Sequence, residues 1–242
     1  MQERRLSYNR FMRTKKPINP DTCARIDTVW HRLASHYGSP KIEPNGDPIG
    51  QLVQTVLSQH TTDASADHAF TNLKRSFPSW SDVAAAPQGE VAHAIRSAGL
   101  ANQKASTIQT ALRELGSSDL RGLTNLPVPE ARERLTAIRG IGDKTASCVL
   151  LFALGMPAQP VDTHIERVSK RIGLTNEATS ASGIQDVLET CLPADRQTMF
   201  AFHIDLIRHG RDVCVARAPK CSQCFLNDLC DYYQESVRRV DS

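Results

Sequence analysis

Residues 135–146 read LTAIRGIGDKTA, a stretch whose pattern predicts a helix, a tight turn and a second helix. Gly140 and Gly142, two residues apart, would permit positive φ in the turn and a close approach of the backbone to another molecule. The second helix would begin with unpaired N–H groups and the positive end of its dipole, a combination that suits a phosphate. A plain interhelical connection that needs two glycines to turn sharply is the alternative interpretation.

Lys144 stands in the first turn of this second helix, whereas cations are favoured at the opposite end of a helix. The helix dipole there disfavours the charged form of the amine, as an amine nucleophile requires. Eighteen residues later, Asp162 precedes a predicted helix, where its carboxylate could cap backbone amides and still point outward. Taken alone, Asp162 is most simply a helix cap, but its conjunction with the hairpin and the lysine is rarer than any one of these parts.

Four cysteines fall within 17 residues near the C-terminus: Cys214, Cys221, Cys224 and Cys230. This spacing predicts four thiolates around one metal ion or one iron–sulfur cluster, and spacing alone does not exclude zinc. The other cysteines, Cys23, Cys148 and Cys191, lie in apolar periodic segments and are expected to be small core residues. An odd total of seven, with four of them clustered, does not resemble a secreted disulfide framework and favours a reducing compartment.

The composition is that of a soluble globular protein, since 40% of the 242 residues are hydrophobic and 23% are charged. No apolar run approaches the roughly 18 residues that span a bilayer, so no membrane association is expected. The net charge of +3 permits a polyanionic partner without demanding one. Residues 1–19 contain six basic residues against one acid, and this basic arm fits a solvated tail, a loose DNA-binding arm or an organelle transit peptide.

Apolar side chains recur at three- and four-residue steps and predict an all-α protein of about ten helices, with no convincing period-2 strand. The predicted helices cover approximately 26–37, 49–57, 62–77, 89–97, 103–115, 129–138, 143–154, 163–172, 181–191 and 196–208. Two prolines and a glycine interrupt the pattern at 155–160 and predict a crossing between two lobes. A second crossing is expected near 38–40.

These motifs resemble those of the helix-hairpin-helix DNA glycosylases with a glycine/proline-rich loop and an aspartate, specifically the endonuclease III branch. The resemblance runs from about Arg25 to Tyr232 and is carried by LSQ at 57–59, GIGDKTA at 140–146, VDTHI at 161–165, HGR at 209–211 and the cysteine loop. It implies a two-lobed fold: a six-helix barrel over 41–155 that contains the hairpin, and an iron–sulfur lobe built from 20–40 and 156–242. It also implies a [4Fe–4S] cluster, and a monovalent cation at the hairpin is a further expectation.

The resemblance also assigns roles to individual residues. Lys144 would attack the deoxyribose and form an imine, while Asp162 would accept a proton or stabilise positive charge at the sugar. The expected DNA contacts are Arg139, Gly140, Gly142, Thr145, Gln59, His60, Leu100, Arg217 and Lys220. Gln59, His60 and Leu100 would form the wedge that fills the gap left by an extruded nucleotide. Burial of Leu100 and a plain polar loop at 59–60 are the alternatives.

The implied function is that of a bifunctional DNA glycosylase and abasic-site lyase of base excision repair. Its substrates would be oxidised or ring-saturated pyrimidines such as thymine glycol, with β-elimination on the 3′ side of the abasic site. A mismatch thymine or uracil glycosylase, and a DNA-binding iron–sulfur protein with little turnover, are the alternatives. The chain departs from the family pattern at Arg139, Asp143 and His60, which leaves DNA grip and substrate preference open.

The expected partner is double-stranded DNA that contains a damaged base or an abasic site, bound by a monomer. The expected location is the cytoplasm or nucleoid of a bacterium, and the basic arm is also compatible with a nucleus or a mitochondrion.

Overall fold

The structure is a computed structural model that describes residues 18–43, 46–116 and 120–240, with side chains as far as residue 236. Helices make up the regular structure of these ranges, and no strand occurs in them. The prediction of an all-α fold is therefore confirmed. Of the predicted basic arm, residues 1–17 lie outside the described residues.

Twelve α-helices follow one another along the described chain. They are α1 (Pro20–Tyr37), α2 (Pro48–Ser58), α3 (Asp63–Ser76), α4 (Trp80–Ala85), α5 (Gln88–Ala94), α6 (Ala101–Leu115), α7 (Val128–Thr136), α8 (Asp143–Cys148), α9 (Thr163–Ile172), α10 (Ala181–Cys191), α11 (Arg196–Asp212) and α12 (Asp231–Val240). A π-helical turn, Val149–Ala153, extends α8, and 3₁₀ turns cover Arg96–Ala98, Leu120–Asn125, Cys221–Gln223 and Asn227–Leu229. None of the helices in the described ranges is long and apolar enough to span a membrane.

Side-chain caps determine where many of these helices begin, because each one satisfies a backbone N–H group that has no partner within the helix. The capping residues include Asn19, Asp47, Thr62, Ser79, Asp162, Ser180 and Asp195. Gly38 ends α1 in the left-handed conformation, with φ of +78°.

Apolar periodicity located most helices but missed α4 and α12. The six residues of α4 are too few to display an apolar repeat, although Ser79 and Asp82 form a capping box at its start. The predicted helix 143–154 changes at Cys148 from an α-helix to a π-helix, and the predicted helix 196–208 continues to Asp212.

Buried apolar side chains form two cores. The first core is built by α2 to α8 and includes residues from Leu52 to Ala158. The second core is built by α1, α9, α10, α11 and the cysteine loop. The π-helical turn contributes to both, because Leu150 packs in the first core and the adjacent Leu151 in the second. The lobe boundaries given above stay a prediction.

A buried polar network joins the hairpin to α10. Arg132 on α7 donates through Nε to Ser147 Oγ at 3.0 Å and forms an ion pair with Glu189 on α10. Gln185, one turn before Glu189, donates to the same Ser147 oxygen and to the Gln159 carbonyl oxygen, both at 2.6 Å. Because these groups are buried, losing any one partner would leave another polar group desolvated and unsatisfied. The network therefore fixes the hairpin relative to the second core.

Two of the three outlying cysteines are not the isolated core residues that the sequence predicts. Cys23 on α1 and Cys191 at the end of α10 are half-buried and form a disulfide across 168 residues of sequence. The prediction was wrong because α1 packs against α10 and brings the two thiols together, a tertiary contact that local periodicity does not reveal. Cys148, by contrast, is buried as predicted.

Removal of this disulfide should destabilise the protein. Cys23→Ser should lower the unfolding free energy of unreduced protein by about 2–4 kcal/mol, because a cross-link that closes a long loop restricts the unfolded chain. Denaturant unfolding followed by circular dichroism measures the loss, and added reductant should make wild type and variant similar. Alkylation of Cys23 in unfolded, unreduced wild-type protein would contradict the pairing.

Asp205 on α11 is a buried carboxylate, and neither of its oxygens has a hydrogen-bond partner in the described structure. Its side chain is 1% exposed, and Arg208 Nη1 lies 3.9 Å from Oδ1. Burial raises the pKa of Asp205 to about 6, with a smaller opposing effect from Arg208. At neutral pH this residue therefore places a poorly solvated charge inside the fold and destabilises it.

Replacement of this carboxylate should stabilise the protein. Asp205→Leu should raise the unfolding free energy by about 1–3 kcal/mol at about pH 7.5. The pKa of Asp205 is higher in the folded protein than in the unfolded chain. Wild type therefore loses stability as the pH rises from the unfolded pKa to the folded pKa, and the advantage of the variant should shrink toward about pH 5. Thermal melts of both proteins at both pH values measure this, and equal shifts at the two would disprove the assignment.

Candidate functional site

The hairpin consists of α7, a turn and α8. Gly140 has φ of +89°, and a Cβ atom there would lie 2.8 Å from Thr107 Cγ2, so both conformation and space require glycine. Gly142 has φ of −94° and extended backbone, so the predicted positive φ holds for Gly140 alone of the two. Gly142 is the N-cap of α8 and has no side chain with which to cap it. The first N–H groups of α8 therefore remain available to an acceptor from outside the helix.

Lys144 is half-buried in the first turn of α8. One helical turn further on is the buried Cys148, which lies close enough to Lys144 for the lysine charge to influence its thiol. Burial raises the pKa of the Cys148 thiol, and the nearby lysine opposes this effect. The thiol near Lys144 therefore stays protonated at neutral pH.

Asp162 is the N-cap of α9, as predicted. Its Oδ1 accepts hydrogen bonds from the N–H groups of His164 at 2.9 Å and Ile165 at 2.8 Å. Both bonds use the same oxygen, so the cap leaves Oδ2 unengaged. The side chain is half-buried and fixed in direction by the cap.

His203 on α11 is a buried member of the same site that sequence analysis did not identify. Its Nδ1–H donates to the Pro160 carbonyl oxygen at 3.1 Å, which anchors the segment that leads into Asp162. Burial lowers the pKa of His203 to about 4, while Asp162 opposes the shift and Lys144 adds to it. Lys144 and Asp162 therefore share two buried neutral neighbours, Cys148 and His203. Cys148 was detectable by its four-residue spacing from Lys144, but nothing in the sequence around His203 links it to this site.

The two wedge loops are residues 59–62, between α2 and α3, and residues 99–100, immediately before α6. His60 has φ of +53° and Leu100 has φ of +47°, conformations that are costly for residues other than glycine and that concentrate at functional sites. Leu100 is 56% exposed, so burial of its side chain is excluded. His60 is exposed, whereas Gln59 is half-buried and donates to Thr145 Oγ1 at 3.3 Å.

The remaining residues that are predicted to contact DNA differ in how far their side chains are exposed. Thr145 is 3% exposed and its hydroxyl accepts from Gln59, so its side chain supports the first wedge loop and only its backbone could reach DNA. Arg139 is exposed, and its backbone N–H donates to Glu114 Oε2 at 3.2 Å. Arg217 and Lys220 are exposed on the cysteine loop.

The four clustered cysteines line one cavity, and all four are free thiols. Within the part of the chain that the structure describes, no three His, Cys, Asp or Glu side chains are arranged to hold a single metal ion. Burial raises the pKa of Cys224 to about 11, and the neighbouring thiols contribute to this shift. Four thiolates in this cavity would require a cationic centre between them.

Two arginines of α9 hold the cysteine loop in place. Arg167 donates through Nε to the Cys214 carbonyl oxygen at 3.0 Å, and Arg171 donates to the Val215 carbonyl oxygen at 2.8 Å. The two arginines are four residues apart and so lie on one face of the helix. Because Asp162 caps this same helix, α9 positions both the carboxylate and the cysteine loop. The spacing of the two arginines is visible in the sequence, but their partners on the cysteine loop are more than 40 residues away and appear only in the folded structure.

Comparison with known proteins identifies the family. A model of the HhH-GPD superfamily base excision DNA repair proteins matches residues 53–193, and a model of the iron-sulfur binding domain of endonuclease III matches residues 214–230. Endonuclease III of Sulfolobus acidocaldarius is 34% identical over 189 residues, which cover 77% of this chain and 83% of that protein. The chain belongs to the endonuclease III family.

Similarity to other members of the endonuclease III family and to related structures supports this assignment. Endonuclease III of Escherichia coli K12 is 34% identical over 212 residues, covering 84% of this chain and 93% of that protein. The structure of a trapped endonuclease III–DNA covalent intermediate is similar with a TM-score of 0.75 and 31% identity, over 89% of this chain and 99% of that one. A thermostable thymine-DNA glycosylase, at 22% identity and a TM-score of 0.70 over 88% of this chain and 99% of that one, shares the fold.

Membership of the endonuclease III family establishes the class of activity. The chain is a DNA glycosylase/AP lyase, and it contains the iron–sulfur domain that holds a [4Fe–4S] cluster in this family. The matched iron–sulfur domain begins at Cys214 and ends at Cys230, the first and last of the four thiols that share the cavity. The donor set fits such a cluster, because [4Fe–4S] clusters are bound by four cysteine thiolates.

Loss of one clustered thiol should remove the cluster. Cys221→Ser should lack the broad visible absorbance and the iron of the wild type, and it should melt at a lower temperature because the cysteine loop belongs to the second core. Absorption spectra, iron analysis and thermal melts measure these effects. Cys148→Ala, outside the cavity, is the matched control and should keep the cluster. Colourless wild-type protein with stoichiometric zinc would refute the assignment.

Proposed function

We propose that this chain is a bifunctional glycosylase and abasic-site lyase that removes oxidised or ring-saturated pyrimidines such as thymine glycol, with Lys144 as the nucleophile. One observation supports this most strongly: Lys144 on the hairpin and Asp162 at the start of α9 both act electrostatically on the buried Cys148 and His203. An amine and a carboxylate at one site are the groups that imine formation with a sugar requires. The proposed partner is double-stranded DNA with a damaged base or an abasic site, bound by a monomer.

DNA binding would rely on two features on either side of the reactive pair. The N–H groups at Gly140, Gly142 and the start of α8 would bind a backbone phosphate, and a monovalent cation could share that position. Arg139, Arg217 and Lys220, all exposed, would add salt-dependent contacts to other phosphates. The [4Fe–4S] cluster would supply metal–thiolate bonds that stabilise the conformation of the cysteine loop.

The target nucleotide must leave the base stack before its glycosidic bond can be reached. His60 and Leu100 project from strained loops and would fill the space that it vacates. Gln59 would hold the first loop against α8 through its hydrogen bond to Thr145. The wedge is thus connected to the helix that carries Lys144.

The reaction would begin with attack of the neutral Lys144 amine on C1′. The bond from C1′ to the base breaks, and the base leaves with the electron pair and takes up a proton. Opening of the sugar ring then gives an imine between Nζ and C1′. Asp162 would accept the amine proton through water or stabilise positive charge at the sugar. Loss of a C2′ proton expels the 3′ phosphate, and hydrolysis of the imine releases Lys144.

Borohydride trapping tests the role of the lysine. Wild-type protein should form a covalent adduct with duplex DNA that contains thymine glycol, because borohydride reduces the imine to a stable amine. Lys144→Gln should bind the same DNA without forming an adduct, and Asp162→Asn should slow adduct formation by about 10²-fold or more. Unchanged visible absorbance and DNA binding of the variants serve as controls.

A panel of defined lesions in the same assay tests the substrate. Excision of thymine glycol and other oxidised pyrimidines should exceed excision of mismatched thymine or uracil. The reverse order would favour a mismatch glycosylase. No adduct with any lesion or abasic site from folded, cluster-loaded wild type would favour a DNA-binding protein with little turnover.

A further inference from the structure

Lys104 on α6 is a buried cation that bridges two helix ends. Its side chain is 3% exposed, and Nζ donates to the Leu57 carbonyl oxygen at 2.7 Å and to the Ala98 carbonyl oxygen at 2.8 Å. Leu57 lies in the last turn of α2, and Ala98 is the last residue of a 3₁₀ turn. Carbonyl groups at helix ends lack partners within the helix and carry its negative partial charge. One ammonium group therefore satisfies two helix ends.

Burial of the Lys104 ammonium group to make these two hydrogen bonds carries a desolvation cost. Its acceptors are uncharged carbonyl groups, and burial lowers the pKa of Lys104. Desolvation of a charge opposes folding unless the contacts it makes are well placed. The position of the two acceptors, the carbonyl groups of Leu57 and Ala98, indicates the role of this cation.

Both acceptors come immediately before the wedge loops. Leu57 is three residues before His60, and Ala98 is two residues before Leu100. The backbone N–H of Lys104 also donates to the Leu100 carbonyl oxygen at 2.9 Å, so Lys104 holds the second loop at two points. Left-handed conformations of non-glycine residues persist only where the surrounding structure fixes them. The hydrogen bonds of Lys104 restrain both wedge loops.

We propose that Lys104 is a positioning residue whose ammonium group clamps the two wedge loops together, so that His60 and Leu100 enter the duplex as a single rigid unit. The hydrogen bond from Gln59 to Thr145 extends this clamp to the helix of Lys144. The inference rests on the proposed function, because that function makes the two loops a wedge.

α6 offers a matched control for this clamp. Gln109, on the same helix, is 1% exposed and donates through Nε2 to the carbonyl oxygens of Val83 at 2.9 Å and Ala86 at 2.7 Å. Lys104→Met and Gln109→Met therefore each remove two buried hydrogen bonds to main-chain carbonyls. They differ in that the carbonyls bound by Gln109 belong to the end of α4, away from the wedge loops.

The test measures base extrusion directly. 2-Aminopurine placed beside thymine glycol in a duplex reports extrusion, since its fluorescence rises when the neighbouring base leaves the stack. Each substitution is introduced into a Lys144→Gln background, which prevents turnover. Lys104→Met should abolish most of the fluorescence rise, and in the otherwise wild-type enzyme it should reduce excision by about tenfold or more. Gln109→Met should retain the fluorescence rise.

Each outcome is decisive. A full fluorescence rise with Lys104→Met, or an equal loss with Gln109→Met, overturns the clamp. Excision by the unsubstituted enzyme tests the proposed function separately, and absence of any rise with Lys144→Gln alone refutes the wedge and the clamp together. Circular dichroism and visible absorbance verify folding, and Lys104→Leu provides the same comparison if Lys104→Met does not fold.

Discussion

The relative position of Lys144 and Asp162 depends on how the π-helical turn Val149–Ala153 joins the two cores. Lys144 precedes this turn and belongs to the hairpin, while Asp162 follows it and begins a helix of the second core. Leu150 and Leu151, adjacent in sequence, are buried in different cores. Rotation of the turn would withdraw at least one leucine, at a cost of about 1.5–3 kcal/mol for each side chain exposed. The buried network around Ser147 opposes the same motion with polar contacts.

The two buried groups near Lys144 and Asp162 also limit where protons can reside. The pKa of the Cys148 thiol is raised and that of the His203 imidazole is lowered, in both cases chiefly by burial. At neutral pH neither group is charged, so neither competes with Lys144 and Asp162 as an acid or a base. The cysteine cavity lies apart from this chemistry and is connected to it through α9, whose arginines hold the cysteine loop.

Local sequence was sufficient for much of the fold, because helices and caps depend on residues a few positions apart. Apolar repeats located most of the helices, and the position of Asp162 before an apolar repeat correctly indicated a cap. Thr145 is a residue whose environment local sequence did not predict. Successive residues on a helix point about 100° apart, so a neighbour of the exposed helix start can face the interior. Its burial against Gln59 could not be derived from the motif alone.

Features that depend on distant segments were beyond local analysis for a physical reason. His203 and the Pro160 carbonyl, Cys23 and Cys191, and Lys104 and the Leu57 carbonyl come together only when helices pack. The members of each pair are separated by more than 40 residues in sequence. The position of the glycines in the hairpin was visible, but the positive φ of Gly140 and its packing against Thr107, which distinguish it from Gly142, appear only in the folded structure.

The Cys23–Cys191 disulfide turns residues 23–191 into a closed covalent ring that contains the whole first core and the reactive pair. The cysteine loop lies outside the ring, yet it rests on α1, because His36 stacks on Phe225 and Arg32 pairs with Asp228. Local separation of α1 from the second core would uncover that side of the cysteine cavity. With α1 tied near its start to α10, this helix cannot separate alone, so the ring keeps α1 over that side of the cluster site.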